Sequence, residues 1–221
     1  MRYTCSILFI NILYMDLVSN KYIQGLTNIL EGVGERIEGN LICDIEPRNW
    51  VFGKHMDKIN NLQHLCKNKS KIMEIGVNAC HSLLLMLLIN PDAEYLLFDL
   101  NNHKYTEPTI EYIRKEFPNT KINIIYGNSV ETIKKYILDN PTQLKSFDLI
   151  HLDGGHTYDI FSEDYNNCKN LIIDNGVMIF DDYDMNDIKV FIDTKVREGE
   201  IVEYTEINIL KNNFHFTYKY L

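Results

Sequence analysis

"KIMEIGVNACHSLLLMLLIN", residues 71–90, decides how the rest of the chain is read. It opens as a short apolar run, turns at Gly76, and continues as a stretch that is apolar nearly all round. A helix without a polar stripe is one buried on most sides. A strand feeding a buried helix through a glycine is the first unit of a layered α/β sheet. The unit then recurs. "AEYLLFDL" is strand-like and precedes "TIEYIRKEF", where Ile110, Ile113 and Phe117 form a helical stripe. "KINIIYGN" precedes "SVETIKKYIL", striped by Val130, Ile133 and Ile137. "FDLIHLD" precedes "DYNNCKNLII", and "GVMIFDD" precedes "DIKVFIDTKV". Near-continuous apolar strands, each followed by a helix, predict a parallel sheet covered on both faces. Two further strand-like runs, "IVEYTEINIL" and "NFHFTYKYL", joined by "KNN", predict a closing β-hairpin. Before Lys71 the chain is polar and helix-like, so residues 1–70 read as an N-terminal helical cap and 71–221 as the α/β domain.

In an open sheet of this kind a ligand sits beyond the carboxyl ends of the strands. Those ends are chemically unusual here. They read Glu74-Ile75-Gly76, Asp99, Gly127-Asn128, Asp153 and Asp181-Asp182. Gly76 permits a tight turn and close approach of backbone to a ligand. The amides that open the next helix near His81 and Ser82 suit polar or anionic groups, although Ser82 near a helix cap explains itself without a ligand. Neither GxGxxG nor GK[ST] is present, so a phosphate-cradling loop is not indicated. Asp99 is placed to accept hydrogen bonds from ribose hydroxyls or to be a solvated strand-end acid. Asn128 pairs with a base edge or caps the following helix, and the cap is the favoured reading.

Asp153-Gly154-Gly155-His156 and Asp181-Asp182 end successive strands, which makes them neighbours in the sheet. Three converging carboxylates raise each other's pKa, and a hard divalent cation such as magnesium relieves that repulsion. Gly154 and Gly155 are read as the bend that turns His156 toward the same pocket, where a neutral imidazole takes a proton near pH 7. The bland alternative has the two acids capping a helix and His156 in a surface turn. Tyr165-x-x-x-Lys169 has the spacing of a short-chain dehydrogenase pair, but follows the wrong strand and lacks the glycine-rich turn.

The chain has 221 residues and a formal net charge of −9. One domain with a sizeable core fits that length. The acidity argues against a nucleic-acid backbone or an anionic membrane as the main partner, because both want a basic face. Five cysteines, widely spaced and without CxxC, predict reduced thiols in a cytoplasm-like compartment. The apolar run Ser6–Val18 is too short to span a bilayer and lacks a small-residue cleavage site. It reads as a packing segment, against a second copy in a homo-oligomer or within the chain, or as sequence upstream of a start at Met15.

Residues 71–182 resemble a class I S-adenosylmethionine-dependent methyltransferase. The resemblance is carried by "EIGVNACHS", "FDLNNHKY", "LDGGHTYD" and "FDDY", in that order. The branch is similar to metal-dependent sugar O-methyltransferases. The fold so implied is a Rossmann-like seven-stranded sheet with helices on both faces and an antiparallel last strand. The resemblance further implies that Glu74, Gly76, Asn78 and Ser82 border the methionine part of S-adenosylmethionine, that Asp99 holds the ribose, and that Asn128 faces the adenine. It implies magnesium on Asp153, Asp181 and Asp182, with His156 as base and a hydroxylated small molecule, a sugar first, as acceptor. Cys80 stands where glycine is usual, and its side chain is expected to narrow the cofactor pocket. Two alternatives follow: a cofactor-binding homologue without turnover, and a metal-dependent hydroxylase on the same fold.

Overall fold

The computed structural model describes residues 17–38, 41–204 and 216–221. Helices α1 (Lys21–Val33) and α2 (Phe52–Cys66) precede the sheet. Five βα units follow: β1 (Lys71–Ile75) with α3 (His81–Leu87), β2 (Glu94–Asp99) with α4 (Thr106–Glu116), β3 (Ile122–Tyr126) with α5 (Ser129–Asp139), β4 (Phe147–Leu152) with α6 (Tyr158–Leu171), and β5 (Ile172–Phe180) with α7 (Asn186–Arg197). Strands β6 (Ile201–Glu203) and β7 (Phe216–Tyr220) close the chain. The seven strands lie in the order β3-β2-β1-β4-β5-β7-β6. The first five are parallel, and β7 runs antiparallel between β5 and β6.

Strand periodicity explains why both faces are covered. Ile72, Leu97, Leu149 and Ile179 enter one apolar cluster, shared with α1 to α4. Their chain neighbours Met73, Phe98, Ile150 and Phe180 enter the other, shared with α5 to α7. Alternate residues of a strand point to opposite faces, so a strand buried on both must be apolar throughout. The chain winds outward from β1 to β3, then crosses back to place β4 beside β1. That reversal opens a crevice at the carboxyl ends of β1 and β4.

Two expected boundaries move. The helix after β4 ends at Leu171, and Ile172-Ile173 already belong to β5, whose register shifts beside β4 between Phe147 and Leu149. Apolar Ile172 and Ile173 suit either element, and pairing with β4 decides the matter. The hairpin is antiparallel as expected, but the "KNN" connection and most of both flanking runs lie outside the described residues. So do the run before residue 17 and Cys5.

Candidate active site

A cleft of about 720 Å³ occupies the crevice, within the usual range for small-molecule sites. Its floor is made by the strand ends. Gly76 has φ +83°, and a Cβ there would lie 1.9 Å from the Asp153 carbonyl oxygen. Glycine is therefore demanded twice, by a left-handed backbone and by the close approach of β1 to β4. Gly154 and Gly155 lead to His156, which lines the cleft as expected, and the two glycines are required for space. Neither needs a left-handed backbone; a Cβ would strike Ile75 from Gly154, at 2.8 Å, and Ile160 from Gly155, at 2.3 Å.

Gly76, Asn78, Ser82, Asp99 and Asn128 all line one half of the cleft. Asp99 is 8% exposed and is not a solvated strand-end acid. Its Oδ2 accepts from the backbone N–H groups of Val77 and Asn78 at 2.8 and 2.9 Å, and its Oδ1 accepts from that of Asn101 at 2.7 Å. The carboxylate thus ties the first turn to the end of β2, and one acceptor direction is left over. Asn128 caps α5 by accepting from the Val130 N–H at 3.1 Å, as the favoured reading expected. Asn78 donates to the Glu38 carbonyl at 3.1 Å, and its Oδ1 is buried without a partner among the described residues. Ser82 is the second residue of α3 and not its cap; the cap is Cys80.

Cys80 adopts φ +63°, the conformation that makes glycine usual here. Its thiol points away from the cleft. It is fully buried, 3.2 Å from the Thr109 hydroxyl, and does not line the cavity. The expected narrowing of the pocket does not occur.

Glu74 is also out of place relative to expectation. It is fully buried, does not line the cleft, and accepts from His151 Nδ1 at 2.9 Å. The two residues are paired across β1 and β4 in register. Burial opposes a charge on His151, but Glu74, Asp153 and Asp181 outweigh it and raise its pKa above the usual value.

The other half of the cleft holds Asp153, His156, Asp181 and Asp182, as the pairing of β4 with β5 requires. Ligand atoms of Asp153, His156 and Asp182 lie within 4.8 Å of one another, and so do those of His151, Asp153 and Asp181. Burial first, then the Asp181 charge, push the Asp153 carboxyl well above the ordinary carboxylate range. Asp182 takes a left-handed backbone, φ +55°, which strains a side chain into this corner. His156 Nε2 sits 2.9 Å from Asp182 Oδ2, and that bond raises its pKa from 6.5. Unprotonated His156 is thus disfavoured by its neighbour. Lys58 of α2 pairs with Asp181. Burial works against its ammonium, but Asp181, with Asp153 and Asp182 behind it, more than compensates.

Sequence reading missed Lys58, His151, Glu38, Leu100 and His103. His151 and Glu74 carried a signal: two titratable residues inside strands buried on both faces must satisfy each other. Lys54, His55 and Lys58 carried a weaker one, because their spacing puts two lysines and a histidine on one helical face. All three line the cleft. Tyr165 and Lys169 are elsewhere: the ring is buried against Phe180 and Phe191, and the ammonium pairs with Glu200.

Among solved structures, an O-methyltransferase provisionally assigned in Klebsiella pneumoniae superposes with a TM-score of 0.66 at 13% identity, covering 96% of this chain and 94% of that one. A provisionally named caffeoyl-CoA O-methyltransferase from Staphylococcus aureus gives 0.59 at 14% identity, over 95% and 97%. CalS11, a TDP-rhamnose 3′-O-methyltransferase of calicheamicin biosynthesis, gives 0.61 at 15% identity, over 90% and 93%. At such identities the likeness establishes the fold. No match is found among curated proteins. The profile of a methyltransferase-domain family, by contrast, matches residues 73–183. That span runs from β1 to just beyond the acidic pair after β5 and takes in every strand end that lines the cleft, so the chain belongs to this methyltransferase-domain family.

Proposed function

We propose that this methyltransferase uses S-adenosylmethionine to O-methylate a small hydroxylated molecule, with a divalent cation assisting. The observation that carries the reading is a single cleft with two chemically distinct halves. Gly76, Asn78, Ser82, Asp99 and Asn128 line one, and Asp153, His156, Asp181 and Asp182 line the other. The first half fits the cofactor. Asp99 keeps one acceptor direction for a ribose hydroxyl, the unpartnered Asn78 oxygen suits a polar group of the methionine end, and Leu100, 60% exposed, offers apolar surface beside them. Glu74 acts beneath this half and not in it.

The second half fits a hard cation. Its donors are carboxylate oxygens, and burial, with the Asp181 charge behind it, makes a bare charge on Asp153 costly, a cost that a cation relieves. Asp153, Asp181 and Asp182 would hold the ion, which supplies Lewis acidity to an acceptor hydroxyl. S-adenosylmethionine supplies an electrophilic methyl. The chain's own part is chiefly positional: the floor at Gly76 lets both halves meet, which makes the transfer effectively intramolecular. His156 receives the acceptor proton on an imidazole nitrogen. A sugar hydroxyl is the favoured acceptor, by analogy with the substrate in the name of CalS11. The buried thiols of Cys43, Cys66, Cys80 and Cys168 suit a reducing, cytoplasmic setting. No helix among the described residues is long and apolar enough to cross a membrane.

Calorimetric titration of the full chain with S-adenosylhomocysteine tests the cofactor half. Micromolar binding, about −8 kcal/mol, is expected, and absence of binding refutes the reading. For the cation, EDTA is expected to abolish methyl transfer to a hydroxylated acceptor and magnesium to restore it; turnover that resists EDTA removes the metal from the mechanism.

A further inference from the structure

The acidic half of the cleft already contains a cation, and the chain supplies it from outside the sheet. Lys58 lies in the middle of α2, in the segment before β1, and is 8% exposed. Its ammonium contacts Asp181 Oδ1, which also accepts the Asp182 backbone N–H at 2.7 Å. Both acceptor directions of that oxygen are therefore filled. Asp153 and Asp182 face the same ammonium. His156 Nε2 lies 2.9 Å from Asp182 Oδ2. The Asp181 carboxylate is thus charge-balanced by a group of the chain itself. A divalent ion on Asp181 must either displace Lys58 or share one carboxylate with it. Two cations on one carboxylate in a partly buried site repel strongly.

We propose, on the metal-assisted reading above, that Lys58 is a tethered cation that competes with the divalent ion for Asp181. Metal entry then withdraws Lys58 from the acids and loosens α2, which also brings Lys54 and His55 to the cleft wall. The α2 backbone is suited to such movement. It departs from helical geometry at His55 (φ −115°, ψ 15°), one turn before Lys58, and its first residue has no side-chain cap. The segment before the sheet would then be more than a cover: it would set how tightly the site holds metal, and α2 would report occupancy.

The test is calorimetric titration of Mg²⁺ alone into the full chain, wild type and Lys58→Met. Methionine keeps the buried stem and removes the charge. The variant is expected to bind Mg²⁺ at least about tenfold more tightly, because one competing charge is gone. Equal or weaker affinity overturns the competition and leaves the metal site standing. Absence of Mg²⁺ binding in both proteins overturns the competition and the metal reading together. Asp153→Asn, run alongside, separates binding at this site from binding elsewhere, since it should lose the heat in either background. A second readout needs no variant: amide exchange across Phe52–Cys66 in the wild-type protein, followed by mass spectrometry. Saturating Mg²⁺ is expected to speed exchange there, and unchanged or slower exchange overturns the proposal.

Discussion

At the residue scale, two side chains carry separable predictions. His156 is half-exposed and bonded to Asp182, which raises its pKa above 6.5. A base must be unprotonated to accept a proton. Turnover should therefore rise with pH as the His156 imidazole loses its proton. His156→Ala should lose that limb and about 10²–10⁴-fold in kcat while keeping its affinity for S-adenosylhomocysteine. Equal turnover in the variant would rule out the role. Asp164, on the far side of Gly154, is buried with one oxygen accepting from the Ser129 hydroxyl at 3.0 Å and the other without a partner among the described residues. Burial pushes its carboxyl from 3.8 to about 6. The folded state then binds the proton more tightly than the unfolded state. The favourable contribution is complete below the unfolded pKa and disappears as pH rises through about 6. Asp164→Asn keeps an acceptor for Ser129 and does not ionise. Its stability relative to wild type should climb by about 2–3 kcal/mol between pH 4 and pH 7.5, measured by urea unfolding at each pH. A difference that does not vary with pH would show that the carboxyl titrates normally.

At the element scale, the first βα turn bears the heaviest constraints. Gly76 combines φ +83° with a Cβ position 1.9 Å from the Asp153 carbonyl. Gly76→Ala must open the β1–β4 contact that floors the cleft. A loss of about 2–5 kcal/mol is expected on chemical unfolding, together with weaker S-adenosylhomocysteine binding; a fully stable variant would mean that the strands separate at little cost. Cys80 in the same turn makes the contrast. Its left-handed backbone favours glycine, but its thiol is packed against Thr109 and away from the cleft. Cys80→Gly should leave S-adenosylhomocysteine affinity within about threefold, since only a buried contact and about 1 kcal/mol of backbone preference trade places. A large gain in affinity would show that the thiol does reach the cofactor. The outcome also bears on the scaffold alternative, which rested on a narrowed pocket.

At the scale of the whole molecule, the residues before β1 and the sheet form one site. Glu38, Leu41, Lys54, His55 and Lys58 line a cleft whose floor is made of strand ends. Glu35 pairs with His103 at 3.1 Å, and the Glu38 carbonyl takes the Asn78 amide. The same closed packing buries Cys43, Cys66, Cys80 and Cys168, and pushes the Cys43 and Cys66 thiols up to about 12. A thiol shut from water and held protonated is inert. These four should resist an aromatic disulfide reagent in the native protein and react on unfolding in urea; fast native labelling of any of them, read by peptide mapping, would contradict the packing.

The strand-helix alternation was legible because a period of two and a helical stripe are local properties of sequence. The pairing of Asp153 with Asp181-Asp182 was legible too, because successive parallel strands usually neighbour one another. Asp99 was visible as a strand-end acid, though its engagement with three backbone amides was not, since that depends on how two turns meet. The direction of the Cys80 thiol, the burial of Glu74 against His151 and the arrival of Lys58 beside Asp181 were likewise undetermined. Residues 58 and 181 are 123 apart in the chain, and no periodicity encodes a contact of that separation. Local pattern and the order of the strand ends were thus determined by sequence alone. Which charges meet was decided by tertiary structure, because the energy of a buried charge depends on what faces it across the cleft and not on its neighbours along the chain.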